Sequence, residues 1–257
     1  MPLTETYSQS TIHNKWRSVY RQNPRQLAFD DAIYEWLFQQ IQPHGGWLDA
    51  GCGSGEHTIR LARHCPLVVA VDISEGIIAA AHLAAQQQRV ADHIRFVVCP
   101  LEHLSASQEV HNVHCRGVMM HIPDWKTVLE NLCRNVQPGG YLVLCEGDHR
   151  SLEAYAVRIL RSLRKSKSRM DETEGGLEFW SESDGKPFLV RMADLNHVES
   201  EMRRHGLEPL FRRSIFLIDL NRLPHHFRGI GIALNKLWFK TGLPKGCGVL
   251  LVARRPN

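Results

Sequence analysis

The sequence lacks any run of about 18 consecutive apolar residues, the length that a membrane-spanning helix needs. Its first ten residues are polar and carry no apolar segment of the kind found in secretion signals. Its seven cysteines are an odd number for a disulfide framework, and no two of them have the Cys-x-x-Cys spacing of common zinc and redox motifs. These absences favour free thiols in a reducing compartment, so we expect a cytoplasmic protein without a membrane span.

Composition and charge further limit the class of protein and the partners that it can have. The chain has 257 residues, of which 43% are hydrophobic and 23% charged, so it can bury a core without disulfides or metals. Residues 1–149 carry 11 Lys or Arg against 15 Asp or Glu, whereas residues 150–257 carry 20 against 12. A basic second half can steer an anionic substrate. The pI of 8.7 is below the value of about 9 that is typical of nucleic-acid-binding domains, so no nucleic acid partner is expected.

The most informative stretch runs from Trp47 to Thr58. A short apolar run ends in Asp49, and glycine then occupies positions 51, 53 and 55 before a helical pattern begins. Glycine reaches positive φ and has no Cβ, so this stretch can turn tightly against a ligand. Open α/β sheets bind ligands at the carboxyl ends of their parallel strands. The pattern therefore predicts a ligand-binding turn between a strand and a helix.

Three further segments follow in order: residues 67–74 predict a strand that ends in Asp72, residues 117–125 follow a fourth strand, and residues 136–144 form a Pro-Gly-Gly turn into a fifth. Together with Asp-x-Gly-x-Gly-x-Gly at 49–55, these segments resemble the class I S-adenosylmethionine (SAM) dependent methyltransferases, of the small-molecule type. Dinucleotide-binding proteins also carry glycine loops. The alternate glycine spacing, with an acid two residues before the first glycine, favours SAM.

The resemblance implies an α/β, Rossmann-like fold with helices on both faces of a seven-stranded sheet. The strand order would be 3-2-1-4-5-7-6, with strand seven antiparallel. The domain would span residues 1–257, with a helical cap over 1–42 and a lid insertion over 150–200, between strands five and six. The residue pattern also predicts a break at Asn23–Pro24, a helix from Phe29 to Ile41, and a polar loop over 171–176.

The resemblance also implies which residues bind SAM and release S-adenosylhomocysteine (SAH). Asp72 would hydrogen-bond the ribose, as the acid after the second strand does in dinucleotide-binding folds. The acid that the family places after strand three is replaced by Pro100, so the Leu101 backbone or Glu102 would contact the adenine. The candidate cofactor-binding residues are Asp49, Gly51, Cys52, Gly53, Gly55, Asp72, Ile73, Leu101, Arg116 and Arg17.

The predicted fourth strand, residues 110–116, is more polar than a buried parallel strand usually is. It contains His111 and His114 and ends in Arg116, close to where a methyl group would be transferred. A buried arginine without a partner is costly. We therefore expect a carboxylate from the protein, SAM or the substrate beside Arg116.

Catalysis of methyl transfer from a sulfonium can rest largely on positioning and desolvation. A base is needed only when the acceptor is a hydroxyl, a protonated amine or a C–H group. His121 is the first candidate catalytic residue because imidazole titrates in a suitable pH range. Glu146, at the end of strand five, is the second candidate. The candidate substrate-binding residues are Tyr20, Met120, His149 and Trp180, and no metal-binding signature is present.

We expect methyl transfer to an aromatic or lipophilic small molecule, because aromatic residues are frequent in the segments that would cover the site. O-methylation is favoured, and N- and C-methylation stay open. The basic second half keeps RNA or protein methylation open, and a SAM-binding protein without methyl transfer, such as a cyclase, is a further alternative. The glycine spacing disfavours a nicotinamide oxidoreductase, and the sequence leaves a homo-oligomer open.

Overall fold

The predicted sheet is confirmed in a computed structural model that describes residues 23–163, 169–183 and 185–257. Its strands are β1 (Trp47–Ala50), β2 (Val68–Asp72), β3 (Ile94–Val98), β4 (Asn112–Arg116), β5 (Tyr141–Gly147), β9 (Glu208–Phe216) and β10 (Gly248–Arg254). Strand β10 is antiparallel to both β5 and β9, whereas β1 to β5 pair in parallel. Since β9 and β10 are the sixth and seventh strands of this sheet along the chain, the order β3-β2-β1-β4-β5-β10-β9 matches the prediction.

The first helix that the structure describes, α1, spans Pro24–Ile41 and so begins earlier than predicted. The Asn23 side chain accepts a hydrogen bond from the Arg25 N–H and caps the helix. Proline in the first turn loses nothing, because its missing N–H would have no helical partner there. The Asn-Pro pair therefore starts the helix, and the predicted start at Phe29 is five residues too late. Of the predicted cap over residues 1–42, residues 1–22, with Arg17 and Tyr20, lie outside the described residues.

The later helices cover both faces of the sheet, and three of them begin at an acidic or hydroxyl cap. Ser74, Asp124 and Asp194 each accept a backbone N–H in the first turn of the helix that follows. Phe29 and Phe239 belong to the apolar layer on one face, and Leu132 and Met202 belong to the layer on the other. The helices are α2 (Glu56–Ala62), α3 (Glu75–Gln87), α4 (Trp125–Arg134), α5 (Leu152–Leu163), α6 (Leu195–Arg204) and α7 (Arg228–Thr241).

A second, antiparallel sheet lies between β5 and β9 in the chain. Its strands are β6 (Arg169–Thr173), β7 (Gly176–Ser183) and β8 (Lys186–Ala193), in the order β6-β7-β8. The predicted polar loop over 171–176 is therefore wrong, because residues 171–173 belong to β6 and Gly176 begins β7. β6 is an edge strand with largely exposed side chains, and edge strands commonly carry charged residues.

None of the seven cysteines, all within the described residues, forms a disulfide bond. In the part of the chain that the structure describes, no helix has the length and apolar character needed to cross a membrane. Over the same ranges, no cluster of three or more His, Cys, Asp or Glu side chains is arranged to hold a metal ion.

Candidate functional site

A cavity of about 890 Å³ lies at the carboxyl ends of β1, β4 and β5 and is also lined by residues of β7 and β8. It gathers residues that are far apart in the sequence. Several of the predicted site residues line it, namely Asp49, Gly51, Cys52, Arg116, Met120, His121, Glu146 and Trp180. The cavity therefore brings together both predicted catalytic residues and part of the predicted cofactor-binding set, whereas Gly53, Gly55, Asp72, Ile73 and Leu101 are not among its lining residues.

The three glycines after β1 all have positive φ, with values of +74° at Gly51, +53° at Gly53 and +87° at Gly55. A Cβ added at Gly51 would lie 2.3 Å from the Val118 side chain, so glycine is required there. Gly55 is the N-cap of α2, and a Cβ there would lie 3.1 Å from the Cβ of Ala81. The turn therefore presents bare backbone at the edge of the cavity, as expected for the close approach of a ligand.

Asp72, at the end of β2, holds this turn through its carboxylate. Its Oδ2 accepts a hydrogen bond from the Gly53 N–H at 2.9 Å, and its Oδ1 accepts one from the Ser74 N–H at 3.1 Å. An ionised carboxylate has about four lone-pair sites, so each oxygen keeps acceptor capacity. Ile73 follows at a half-buried position, and Leu101 is buried with its carbonyl accepting from the Asn131 side chain at 3.0 Å.

A buried chain of hydrogen bonds supports the turn. Asp49 accepts from the Thr58 hydroxyl at 2.6 Å and lies 2.8 Å from Nδ1 of His114, whose Nε2 lies 2.7 Å from the Tyr34 hydroxyl. Because an ionised carboxylate only accepts, Nδ1 carries the proton and Nε2 accepts from Tyr34 in the neutral ring. Burial raises the pKa of Tyr34, so its phenol stays protonated and donates. Both Asp49 oxygens are thus engaged within the protein.

Arg116 has the carboxylate partner that its position predicted. Its Nη2 donates to Oδ1 of Asp30 in α1 at 2.7 Å, and its guanidinium lies 5.3 Å from the centre of the Phe216 ring. Its Nη1 is buried and has no hydrogen-bond partner among the described residues. Buried polar groups normally find partners. The unpartnered nitrogen therefore offers a donor to an acceptor atom that enters the cavity.

Glu146 lies inside β5 and is 3% exposed. Neither of its carboxylate oxygens has a hydrogen-bond partner among the residues that the structure describes. Burial raises its pKa to about 7; the Met119 N–H and the Arg191 charge oppose the rise, although neither forms a hydrogen bond of normal geometry to it. A carboxyl group with a pKa near neutrality can take up and release a proton under ordinary conditions.

His121 is held beside the same cavity by the second sheet. Its Nδ1 lies 2.8 Å from the carbonyl oxygen of Leu189 in β8, and its ring centre lies 5.4 Å from that of Phe188. A carbonyl only accepts, so Nδ1 carries a proton and Nε2 is the basic nitrogen of the neutral ring. The arrangement is suitable for proton transfer at Nε2.

Arg191 of β8 fixes the loop that carries His121. Its Nη1 donates to the carbonyls of Met119 at 3.1 Å and Ile122 at 2.8 Å. Its Nε and Nη2 bind one carboxylate oxygen of Glu178 at 2.9 and 2.8 Å. Arg191 and Glu178 were absent from the predicted site, because the two residues pair across β7 and β8 and no local pattern in the sequence marks them.

The three predicted substrate-binding residues that the structure describes divide into two groups, and Tyr20 lies outside the described residues. Met120 and Trp180 line the cavity, whereas the structure places His149 outside its lining. The Nδ1 of His149 lies 3.0 Å from the carbonyl oxygen of Ala193, so its ring joins the end of β5 to the end of β8. The apolar wall beside Trp180 also contains Phe179, Phe188, Val190 and Met192.

Known proteins share this fold and part of this sequence. The ubiquinone biosynthesis O-methyltransferase of Coxiella burnetii (strain Dugway 5J108-111) is 29% identical over 147 residues, which cover 56% of this chain and 61% of that protein. The chain thus spans less than two thirds of the length of this curated relative. A second relative of the same name, from Acinetobacter baumannii (strain AYE), is 29% identical over 134 residues, or 51% of this chain and 53% of that protein.

A solved structure covers nearly the whole chain. Magnesium protoporphyrin IX methyltransferase from Synechocystis PCC 6803, with bound SAH, aligns with a TM-score of 0.65 at 17% identity over 97% of both chains. At this identity the likeness concerns the fold alone. A family model described as a methyltransferase domain matches residues 41–190, which is more than half of the sequence. The chain therefore belongs to the methyltransferase domain family.

Proposed function

We propose that the protein transfers a methyl group from SAM to a hydroxyl group of an aromatic or lipophilic small molecule. The observation that carries this proposal is Glu146, a buried carboxyl group in the cavity lining that has a pKa of about 7 and no hydrogen-bond partner within the described ranges. A cavity of about 890 Å³ is also within the size range of small-molecule sites. That size favours a small acceptor over RNA or a protein.

The residues around the glycine turn fit SAM, which supplies an activated methyl group on a sulfonium when bound. Gly51 leaves no room for a Cβ, so the backbone can approach a ligand closely. Asp72 keeps acceptor capacity for ribose hydroxyls. Nη1 of Arg116, which no residue in the described part of the chain hydrogen-bonds, suits a carboxylate. The proposed set is completed by Cys52, Gly53, Gly55, Ile73 and Leu101, with Asp49 as a support of the turn.

Glu146 is the proposed general base. At a pKa of about 7, a substantial fraction of the carboxyl group is ionised at neutral pH. Either oxygen can accept the proton of an acceptor hydroxyl without first giving up another hydrogen bond. The apolar wall of β7 and β8 would exclude water from this transfer. His121, oriented by the Leu189 carbonyl, is the second candidate for the base.

The acceptor side of the cavity supports an apolar, ring-containing substrate. Trp180, Phe179 and Phe188 come from the insertion over residues 150–200, which we propose covers the bound acceptor. Aromatic side chains offer large flat surfaces to a ring-containing ligand. The name of the curated relatives, ubiquinone biosynthesis O-methyltransferase, supports the same class of acceptor and transfer to oxygen.

The test is SAM-dependent methylation of a panel of phenols and catechols, followed as SAH release. We expect turnover by the wild type and a loss of about 10²- to 10⁴-fold in kcat for Glu146→Gln. SAH affinity should stay unchanged in that variant, and Glu130→Gln on α4 is the matched control. Full turnover by Glu146→Gln would contradict the role of Glu146, and a larger loss for His121→Gln would transfer that role to His121. Failure of the wild type on every hydroxylated acceptor would contradict the proposed reaction.

A further inference from the structure

Helix α7 turns an apolar stripe outward. Ile230 and Leu237 are both 59% exposed and Leu234 is 38% exposed. Their spacing of four and three residues puts them on one helix face, whereas surface helices normally present polar residues to water. Phe227 and Leu243, at the two ends of the helix, are each 49% exposed. The buried face of the same helix carries Gly231, Ile232, Asn235 and Phe239.

The start of helix α5 adds to this arrangement. Leu152 and Tyr155, three residues apart on one face, are 50% and 52% exposed. The Leu152 N–H donates to the Lys245 carbonyl at 3.0 Å, so the start of α5 touches the loop that follows α7. We call these residues together the apolar surface, formed by Leu152, Tyr155, Ile230, Leu234 and Leu237.

The charge in the segment that carries the α7 stripe has one sign. From residue 220 to residue 257 the sequence contains no Asp or Glu, and Lys240 and Lys245 are exposed beside the α7 stripe. Exposed apolar side chains flanked by lysines are typical of helices that lie in the headgroup region of a bilayer, where anionic lipids attract the positive charge. In a symmetric contact between two copies, the same lysines would face each other and repel.

Both helices that carry the apolar surface also contribute to the cavity. Val157 and Leu160 of α5 and the buried Asn235 of α7 belong to the cavity lining. From these observations we propose that the apolar surface docks the protein on an anionic lipid bilayer.

Cosedimentation with lipid vesicles tests this proposal without measuring turnover, so its result is independent of the proposed reaction. We expect the wild type to sediment with vesicles of equal parts phosphatidylglycerol and phosphatidylcholine, and less with phosphatidylcholine alone. The double variant Ile230→Glu with Leu237→Glu should bind the anionic vesicles at least about tenfold more weakly. The matched control is Leu83→Glu, because Leu83 is 56% exposed on α3, which packs near the β3 edge of the sheet, away from β9.

Thermal unfolding establishes that each variant is folded. Should the double glutamate variant fail to fold, Lys240→Glu with Lys245→Glu provides the test, with weaker binding to anionic vesicles expected. The proposal is overturned if the wild type does not bind anionic vesicles, or if the folded variants bind as the wild type does. Light scattering measures whether the surface forms a dimer instead. A wild-type dimer that is absent in the double variant would assign the surface to a second copy of the chain and overturn the proposal as well.

Discussion

The two sides of the cavity are closed by different parts of the chain. Around the glycine turn, bare backbone at Gly51 lines the cavity, and the hydrogen bond from Gly53 to Asp72 holds the turn in place. On the other side, long side chains from β7 and β8 do so, held by the buried Arg191–Glu178 pair. The first side therefore depends on the absence of side-chain atoms, and the second depends on one ion pair and one buried carboxyl group.

Removing the Arg191–Glu178 ion pair on the acceptor side of the cavity should have the largest effect on the free energy of unfolding. Arg191→Met leaves Glu178, whose side chain is 13% exposed, without its partner. Removing one partner of a buried ion pair costs about 3–5 kcal/mol, so the free energy of unfolding in urea should fall by about that amount. Arg95→Met breaks an exposed pair with Glu109 and should change the unfolding curve little. Equal losses in the two variants would contradict this interpretation of the ion pair.

The acceptor side should also make stability depend on pH, through Glu146. The pKa of Glu146 in the folded protein, about 7, is above its ordinary value of 4.5. The folded state therefore binds the proton more tightly, and this stabilisation is present below pH 4.5 and lost as the pH rises through about 7. The difference corresponds to about 3 kcal/mol.

Urea denaturation at several pH values measures this effect. The stability of the wild type relative to Glu146→Gln should decrease by about 3 kcal/mol between acidic pH and pH 8. The amide in the variant does not titrate, so the comparison isolates this one carboxyl group. A difference that stays constant over this range would show that Glu146 titrates normally.

On the cofactor side of the cavity, around the glycine turn, one added methyl group should be enough to weaken SAH binding. Gly51→Ala forces a Cβ to within 2.3 Å of Val118 at a φ of +74°, a strain of roughly 1–3 kcal/mol. We expect weaker SAH binding by calorimetry and a lower melting temperature. Gly76→Ala is the matched control, because a Cβ there meets nothing within 4 Å. Wild-type SAH affinity in Gly51→Ala would contradict the proposed role of the turn.

The smallest effect is expected from the hydrogen bonds beneath the turn. Tyr34→Phe removes the hydroxyl that donates to His114 and should lower the free energy of unfolding by about 1 kcal/mol. Tyr155→Phe changes an exposed tyrosine on α5 and should leave stability unchanged. Identical unfolding curves for the two variants would show that the Tyr34–His114 hydrogen bond does not stabilise the cofactor side.

The cofactor side could be predicted from the sequence because its determinants are local. Alternate glycines after Asp49 require positive φ within a few residues, and Asp72 follows at the end of the next strand. The strand order followed from the same motifs through the family resemblance. The start of α1 was also marked locally, by an Asn cap and Pro24 in the first turn, but the prediction placed the helix start at Phe29.

The acceptor side could be predicted only in part. Glu146 and His121 stood out as titratable residues near strand ends, but Arg191 binds the carbonyl of Met119, 72 residues away, and no spacing rule predicts that contact. The strand β6 was mistaken for a loop because an edge strand exposes polar side chains on both faces. The polar character of β4 similarly had its explanation elsewhere, in Asp30 and Tyr34 of α1.

Calorimetric titration of SAH into the wild type and into Asp72→Asn tests most directly whether this chain binds SAM at its glycine turn. The structure keeps Asp72 at the end of β2 with acceptor capacity on both carboxylate oxygens. We predict stoichiometric binding by the wild type and at least about tenfold weaker binding by Asp72→Asn, since charge-assisted hydrogen bonds are lost. Asp92→Asn, at an exposed position, should bind as the wild type does. No binding by the wild type, or equal binding by Asp72→Asn, would contradict the account.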